Sequence, residues 1–315
     1  MSVDAEPLKG PGRGRRSSHR GSRVQWCRPE SGGVGIVPAV QTRSTVADTL
    51  PPRHSLMPLL GERQLAQALR RAARHSSSPG ADGTTWAEFR KDSRRRIPEL
   101  AHALRAGTWE PQPVRTITVT TYTGKLMPAV IPSVQDRIVH GALRAAAEPV
   151  LEAWTFHDWV SGYRPKRSRI TAVRQASHHM GSEGRWVADV DVQRVSEGSS
   201  VEEVTGWLAT YIKDGTFLNR FAVALQGLPS PLIPGTGLWP LLLNLRLHQV
   251  DVLLANLPVV RFADNYCVFA SNEVEAEQSM RHLVEALESV GLSPHPRKSR
   301  IRSVVNPEDL FLIGG

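Results

Sequence analysis

Apolar and polar positions alternate in two rhythms along this 315-residue chain, and the rhythm in each stretch predicts whether it coils or extends. From Glu62 to Arg74 the apolar residues Leu65, Leu69 and Ala72 recur at helical spacing. A Ser/Pro/Gly break follows, and Thr85 then stands as an N-cap before Trp86-Ala87-Glu88. Residues 113–122, Pro-Val-Arg-Thr-Ile-Thr-Val-Thr-Thr-Tyr, alternate and are β-branched, which predicts a strand. Residues 134–152 read as a long helix, residues 186–192 as a strand, and a helix begins near Ser200. A helix over 241–254 leads to two β-rich apolar runs within 259–270 that meet at Ala263-Asp264-Asn265, the pattern of a hairpin. A helix over 274–290 stops at Gly291, a natural C-terminal residue. Helices packed on antiparallel strands make an α+β fold. No internal repeat is visible.

The first part of the chain has neither rhythm. Residues 1–55 are rich in Arg, Ser, Gly and Pro, with Arg13, Arg15, Arg16, Arg20 and Arg23 close together, and are expected to be a disordered basic tail. Such a tail either binds nucleic acid electrostatically or has no role. Across the chain Lys plus Arg number 39 against 30 Asp plus Glu, a net charge of +9. That excess suits a polyanion, because each neutralised phosphate releases counterions, though a solvated basic surface has the same composition. Aromatic residues make up only 6%, so base-stacking platforms are not dominant. Cys27 and Cys267 are far apart and lack metal-ligand spacing, which implies a reducing compartment without a disulfide framework. No apolar run is long enough to span a membrane, since the stretch 238–245 is short and carries Pro240 and Asn244. The first residues lack the apolar core of a secretory signal. A cytoplasmic location is the expectation.

The candidate chemistry lies in two acidic strand ends. Asp264 sits at the tip of the predicted hairpin, and Asp191 closes the run Trp186-Val187-Ala188-Asp189-Val190-Asp191. Two carboxylates at strand ends offer hard oxygen ligands for divalent cations, the requirement of an in-line phosphoryl or nucleotidyl transfer by two metals. Asp and Asn also favour plain polar turns, so the hairpin alone decides nothing. Asp189 lies on the same face as Asp191, two residues before it, where an ion pair is the favoured role. His178-His179 has no partner cluster and reads as helix surface.

At this point the sequence resembles a family. Phe262-Ala263-Asp264-Asn265 is similar to the Tyr-Ala-Asp-Asp hairpin of reverse transcriptases of the bacterial group II intron type, and the resemblance covers most of residues 60–315. Ser78-Pro79-Gly80-Ala81-Asp82-Gly83 resembles the family's Pro-Gly-x-Asp-Gly segment. Gly107-Thr108-Trp109-Glu110-Pro111-Gln112-Pro113-Val114-Arg115 resembles Gly-x-Tyr-x-Pro-x-Pro-x-Arg. Ile131-Pro132-Ser133-Val134-Gln135-Asp136-Arg137 resembles Ile-Pro-x-x-x-Asp-Arg, and Gly162-Tyr163-Arg164-Pro165-Lys166-Arg167-Ser168 resembles Gly-Phe-Arg-Pro-x-Arg-Ser. Downstream, Gly291-Leu292 with Lys298 is similar to Gly-Leu-x-x-x-x-x-Lys, and Phe311-Leu312-Ile313-Gly314 to the Phe-Leu-Gly primer-grip strand. Each motif alone is weak, but their order and spacing together are specific.

The resemblance implies a right-hand polymerase, with fingers over residues 56–180 and a palm over 181–315, acting as an RNA-directed DNA polymerase. It implies that Asp191 and Asp264, with the Val192 carbonyl, hold Mg2+ or Mn2+, and that Lys298 assists departure of pyrophosphate. Lys125, Arg137, Arg164, Arg167, Ser196, Gly235 and Asn265 fall on nucleotide- or template-facing positions, though each arginine can equally serve as an ion-pair partner. The partners implied are an RNA template, a DNA or RNA primer, dNTPs and group II intron RNA. The chain is expected to stop after the palm, without the family's helical thumb.

Several positions depart from the pattern. Asn265 replaces the second hairpin aspartate and brings no charge. Met127 and Thr121 stand where the family has an arginine and a lysine that clamp the triphosphate, which Met cannot do. Pro234-Gly235 stands for Gln-Gly, and Trp239-Pro240 for Ser-Pro. Ser196 falls on the bulky residue that excludes the ribose 2′-hydroxyl, so weak discrimination between dNTPs and rNTPs is expected. These departures keep a second class open, a non-catalytic RNA-binding relic or accessory of an intron or phage-defence reverse transcriptase.

Overall fold

The computed structural model describes residues 55–75, 78–120, 124 and 126–311. Most of the expected basic tail, together with Thr121, Lys125 and residues 312–315, lies outside the described residues.

The helices form where apolar stripes meet capping residues. Helix α1 (Glu62–His75) and helix α2 (Trp86–Lys91) follow the expected segments, and Thr85 with Glu88 makes a reciprocal capping box at the start of α2. Helix α3 (Ser93–Ala106) was not expected: Pro98 and three consecutive arginines hide its buried stripe of Ile97, Leu100, Ala101 and Leu104. Helix α4 (Val134–Trp154) is capped by Ser133, whose hydroxyl accepts from the Asp136 amide at 3.1 Å. Between α3 and α4, strands β1 (Arg115–Thr120) and β2 (Leu126–Ile131) pair as an antiparallel ribbon. The predicted strand starts two residues later than expected, and β2 was missed because Pro128 interrupts it; an edge ribbon tolerates that proline.

The second half carries the main sheet. Helix α5 (Arg169–Ser182) escaped sequence reading because only the small residues Ala172 and Ala176 are buried on it. Strand β3 (Trp186–Gln193) follows, then helix α6 (Val201–Tyr211) behind a Ser200–Glu203 capping box. Helix α7 (Gly215–Gln226) was also missed, although Phe217, Phe221, Ala224 and Leu225 recur at helical spacing. Asp214 caps it at the Phe217 amide (3.0 Å) and accepts as well from the Leu56 amide (2.7 Å). Helix α8 (Trp239–Leu253) begins two residues earlier than expected, with Pro240 in its first turn. The hairpin is strand β4 (Val259–Phe262) and strand β5 (Asn265–Ala270), followed by helix α9 (Glu273–Ser289) and short strands β6 (Ser293–Pro294) and β7 (Arg300–Ser303).

Among the described residues the five-stranded sheet is antiparallel, in the order β4-β5-β3, with β6 and β7 pairing to different stretches of the far edge of β3. Its faces follow the two-residue alternation of β3. Ala188, Val190 and Val192 pack with Tyr266 and Val268 against α8 and α9. Val187 packs with Cys267 and Phe269 against Ala172 and Ala176 of α5. Full burial of one Val or Leu side chain contributes roughly 1.5–3 kcal/mol, so this alternation fixes the strand register. Leu241, Leu242 and Leu245 of α8 join a separate core with α1, α3, α4 and α7, while Leu243, Leu247 and Val250 face the sheet. That double duty explains a helix apolar on nearly every side. The fold is α+β, as expected.

Candidate active site at the end of the five-stranded sheet

The face of β3 that carries Val187 also carries Asp189 and Asp191, and their environments diverge along the strand. Asp189 pairs with Arg302 of β7, with N–O distances of 2.7 and 3.0 Å, the ion-pair role favoured from sequence. Asp191 lies at the end of the β3–β5 pairing, directly across from Asn265, with its side chain partly open. The β4–β5 loop is only Ala263 and Asp264, and the Asp264 carbonyl accepts from the Val192 amide at 3.0 Å. The two aspartates therefore sit side by side across one strand pair. Burial, and next the charge of Asp191, push the Asp264 carboxyl above the usual range, while Lys298 and Arg261 pull it down. The Lys298 ammonium stands 3.4 Å from Asp191 Oδ2, and the His295 amide donates to the Asp191 carbonyl at 2.7 Å. The Asn265 amide nitrogen donates to Asp264 Oδ1 at 3.3 Å.

Two like charges held this close favour a bound cation. Among the described residues no group of three or more His, Cys, Asp or Glu side chains gathers at one point. A cation here would thus take two carboxylates from the protein and complete its shell with backbone, water or ligand oxygens, a pattern suited to magnesium. The donor set fits such an ion.

A buried polar framework holds the turn. Arg261 is fully buried and pairs with Asp251 of α8 at 2.5 and 2.9 Å; it also donates to Asn244 Oδ1 and to the Ala263 carbonyl, both at 2.9 Å. The Tyr266 hydroxyl donates to Asp251 Oδ1 at 2.7 Å. Burial works against the guanidinium charge, but Asp251 outweighs it and keeps the Arg261 pKa raised. Ala263 adopts a left-handed φ of 56°, unusual for a residue with a side chain. The segment 159–162 braces it from outside: Arg261 exchanges backbone bonds with Trp159 and Ser161, and the Gly162 carbonyl accepts from Asn244 at 2.8 Å. A Cβ on Gly162 would lie 2.1 Å from the Ala263 nitrogen, so only glycine permits this approach. Sequence reading missed the framework. The available signal was a lone arginine in an apolar strand and a lone aspartate in an apolar helix.

Around the turn stand three further side chains. Tyr163, next to Gly162, is partly exposed, and burial together with the Asp264 charge pushes its hydroxyl up to about 12. Its ring meets Trp239 edge to face, with centroids 5.3 Å apart. The Trp239 indole nitrogen in turn donates to Ser196 Oγ at 2.9 Å. Gly235 has φ 102°, and a Cβ there would lie 2.0 Å from the Val130 carbonyl oxygen. With the Val130 amide bonded to the Pro234 carbonyl at 2.9 Å, this loop ties β2 to the start of α8.

Three of the expected basic contacts are engaged by other parts of the protein. Arg164 forms a forked pair with Glu152 and donates to the His157 and Val160 carbonyls at 2.5 and 2.9 Å. Arg167 pairs with Asp158 at 2.8 Å. Arg137 lies over the Trp86 ring and donates to the Ser78 carbonyl at 2.7 Å. In this structure Arg164 and Arg167 brace their own segment, and Arg137 ties α4 to Ser78 and Trp86. Met127 occupies β2 opposite Val119, and Lys125, expected at a nucleotide- or template-facing position, lies outside the described residues. His178 is exposed, and His179 stacks on Phe269 at 5.3 Å. Among the described residues no helix is long and apolar enough to cross a membrane.

No family model matches the chain. It is 28% identical over 210 residues to protein YkfC of Escherichia coli K12, an alignment that covers 60% of this chain and 54% of YkfC. It is 28% identical over 180 residues to the group II intron-encoded protein LtrA of Lactococcus lactis, covering 52% of this chain and 29% of LtrA. It is 25% identical over 175 residues to an uncharacterised 91 kDa protein in the cob intron of Schizosaccharomyces pombe, covering 51% of this chain and 21% of that protein. The matched stretch thus spans about half of YkfC and under a third of LtrA. Three relatives, two of them intron proteins, align with this chain, which is a distant homologue of the group II intron reverse transcriptases.

Proposed function

We propose that the chain is an RNA-directed DNA polymerase that extends a primer 3′ end by nucleotidyl transfer, with fingers over residues 56–180 and a palm over 181–315. The observation that carries this reading is the pairing of Asp191 and Asp264 across β3 and β5, with Lys298 at 3.4 Å from Asp191. Bound magnesium or manganese would supply positive charge to the attacking and leaving oxygens. Asp191, Asp264 and the Val192 carbonyl are the groups that would hold it. The buried Arg261–Asp251 pair keeps the Asp264 turn fixed, so the carboxylates need little rearrangement when substrate arrives. The primer 3′-hydroxyl gives up its proton to solvent as its oxygen bonds to the α-phosphorus, the bond to pyrophosphate breaks, and Lys298 offers its proton or charge to the leaving group. Arg137, Arg164 and Arg167 then act chiefly by shaping the segments that face the template. The partners are an RNA template, a primer, dNTPs and, by analogy with the matched intron proteins, group II intron RNA; the net charge of +9 suits them.

Met127 and Asn265 support a second reading, a non-catalytic RNA-binding accessory, because each removes a charge from the nucleotide's surroundings. Primer extension on an RNA template with dNTPs and either metal separates the two. Extended product is expected; RNA binding without any extension in magnesium or manganese would favour the accessory.

A further inference from the structure

The serine at position 196 leaves a gap where the resemblance expects bulk, and the structure fills that gap from another element. Ser196 lies beyond the end of β3, five positions past Asp191, in a turn closed by the Glu197 amide donating to the Arg194 carbonyl at 2.9 Å. Trp239 is the first residue of α8, and its indole nitrogen donates to Ser196 Oγ at 2.9 Å. Its own amide is fixed by the Thr236 hydroxyl at 3.1 Å. Tyr163 packs edge to face on the indole, and Tyr163 is carried by the segment whose Gly162 abuts the Asp264 turn. The indole is thus clamped at its polar edge by Ser196 and along its ring by Tyr163, whose own hydroxyl feels the charge of Asp264. The small residue at 196 brings its hydroxyl within reach of the indole and accepts its N–H.

We infer that Trp239 is the residue that excludes the ribose 2′-hydroxyl, with Ser196 as its positioning residue and Tyr163 as its support, so that the chain selects deoxynucleoside triphosphates despite the serine. The inference rests on the polymerase reading for the identity of the ligand. It reverses the weak discrimination expected from Ser196 alone. A flat, rigid indole is well suited to the task, because steric exclusion needs a wall that does not yield, and two anchors remove its side-chain freedom.

The test compares dATP with ATP on the full chain in two assays. One is single-nucleotide incorporation on an RNA template, and the other is calorimetric binding of each nucleotide with magnesium, which requires no transfer. The intact chain prefers dATP in both. Trp239→Ala lowers the preference by at least about tenfold, and Ser196→Ala lowers it less, by releasing the indole without removing it. The exchange Trp239→Ser with Ser196→Phe restores the preference by moving the bulk across the gap. Thermal melting of each variant separates a lost wall from a lost fold, and Ser196→Ala serves if Trp239→Ala does not fold. An intact chain that fails to distinguish the nucleotides, or a ratio unchanged in Trp239→Ala, overturns the inference. A binding preference that Trp239→Ala abolishes, with no incorporation by any form, upholds this gate and sinks the polymerase reading. Absence of binding to either nucleotide overturns both.

Discussion

The β1–β2 ribbon and the five-stranded sheet treat their chemistry-bearing positions differently. In the sheet, Asp264 sits on a turn whose every neighbour is constrained: Arg261, Asp251, Asn244 and Tyr266 interlock below it, and Gly162 closes over it. In the ribbon, β1 is exposed or half-buried along its whole length, and Met127, half-buried on β2, stands where the resemblance calls for arginine. A residue embedded in a buried network cannot change without leaving a charge or a polar group stranded. A residue on an open ribbon changes at little cost to the fold. Stability thus protects the backbone of the turn that presents Asp264 and leaves the ribbon positions free to vary.

The largest expected effect breaks the constrained side of this contrast. Arg261→Met leaves Asp251 buried without its counter-charge and should cost about 3–5 kcal/mol in urea unfolding; a loss under about 1 kcal/mol would show that the network does not hold the hairpin. The next concerns the ribbon's anchor. Asp136, which accepts from the Gln112 amide at 2.9 Å just ahead of β1, is raised to about 6 by burial. The folded state therefore keeps a proton that the unfolded chain releases. Stability should fall by about 2–3 kcal/mol as pH rises from 4 to 6, and Asp136→Asn should flatten that slope in denaturation curves taken across the window. A smaller effect tests whether the ribbon can be repaired. Met127→Arg should lower the KM for dNTPs by about tenfold without changing unfolding midpoints; an unchanged KM would mean that the triphosphate is held elsewhere. Least affected of all in stability should be Lys298→Ala, which removes a half-exposed pair worth less than about 1 kcal/mol. Its melting temperature should stay near that of the intact chain while incorporation slows.

Much of the sheet and the site was legible in the sequence. Thr85, Ser200 and Gly291 mark helix ends by local chemistry, and the two-residue alternation of β3 puts Asp189 and Asp191 on one face. The illegible parts depend on contacts between distant segments. Helix α5 buries only two alanines, too little for a periodic signal, and its place is set by the sheet it covers. Arg261 reads as an intrusion in an apolar strand until α8 supplies Asp251. Ser196 reads as an erosion until Trp239 arrives from 43 residues away in the chain. Arg164 carries a motif that suggests substrate, yet Glu152 takes up its fork.

The most direct test of the central claim is the rate of single-nucleotide addition to a primer on an RNA template, measured for the intact chain, Asp191→Ala and Asp264→Ala, with melting curves for each. The paired carboxylates predict magnesium- or manganese-dependent addition by the intact chain and a loss of at least about a hundredfold in both variants, with folding retained. Addition that survives either substitution in a folded protein would contradict the account, since the transfer would then be taking place without the carboxylate pair.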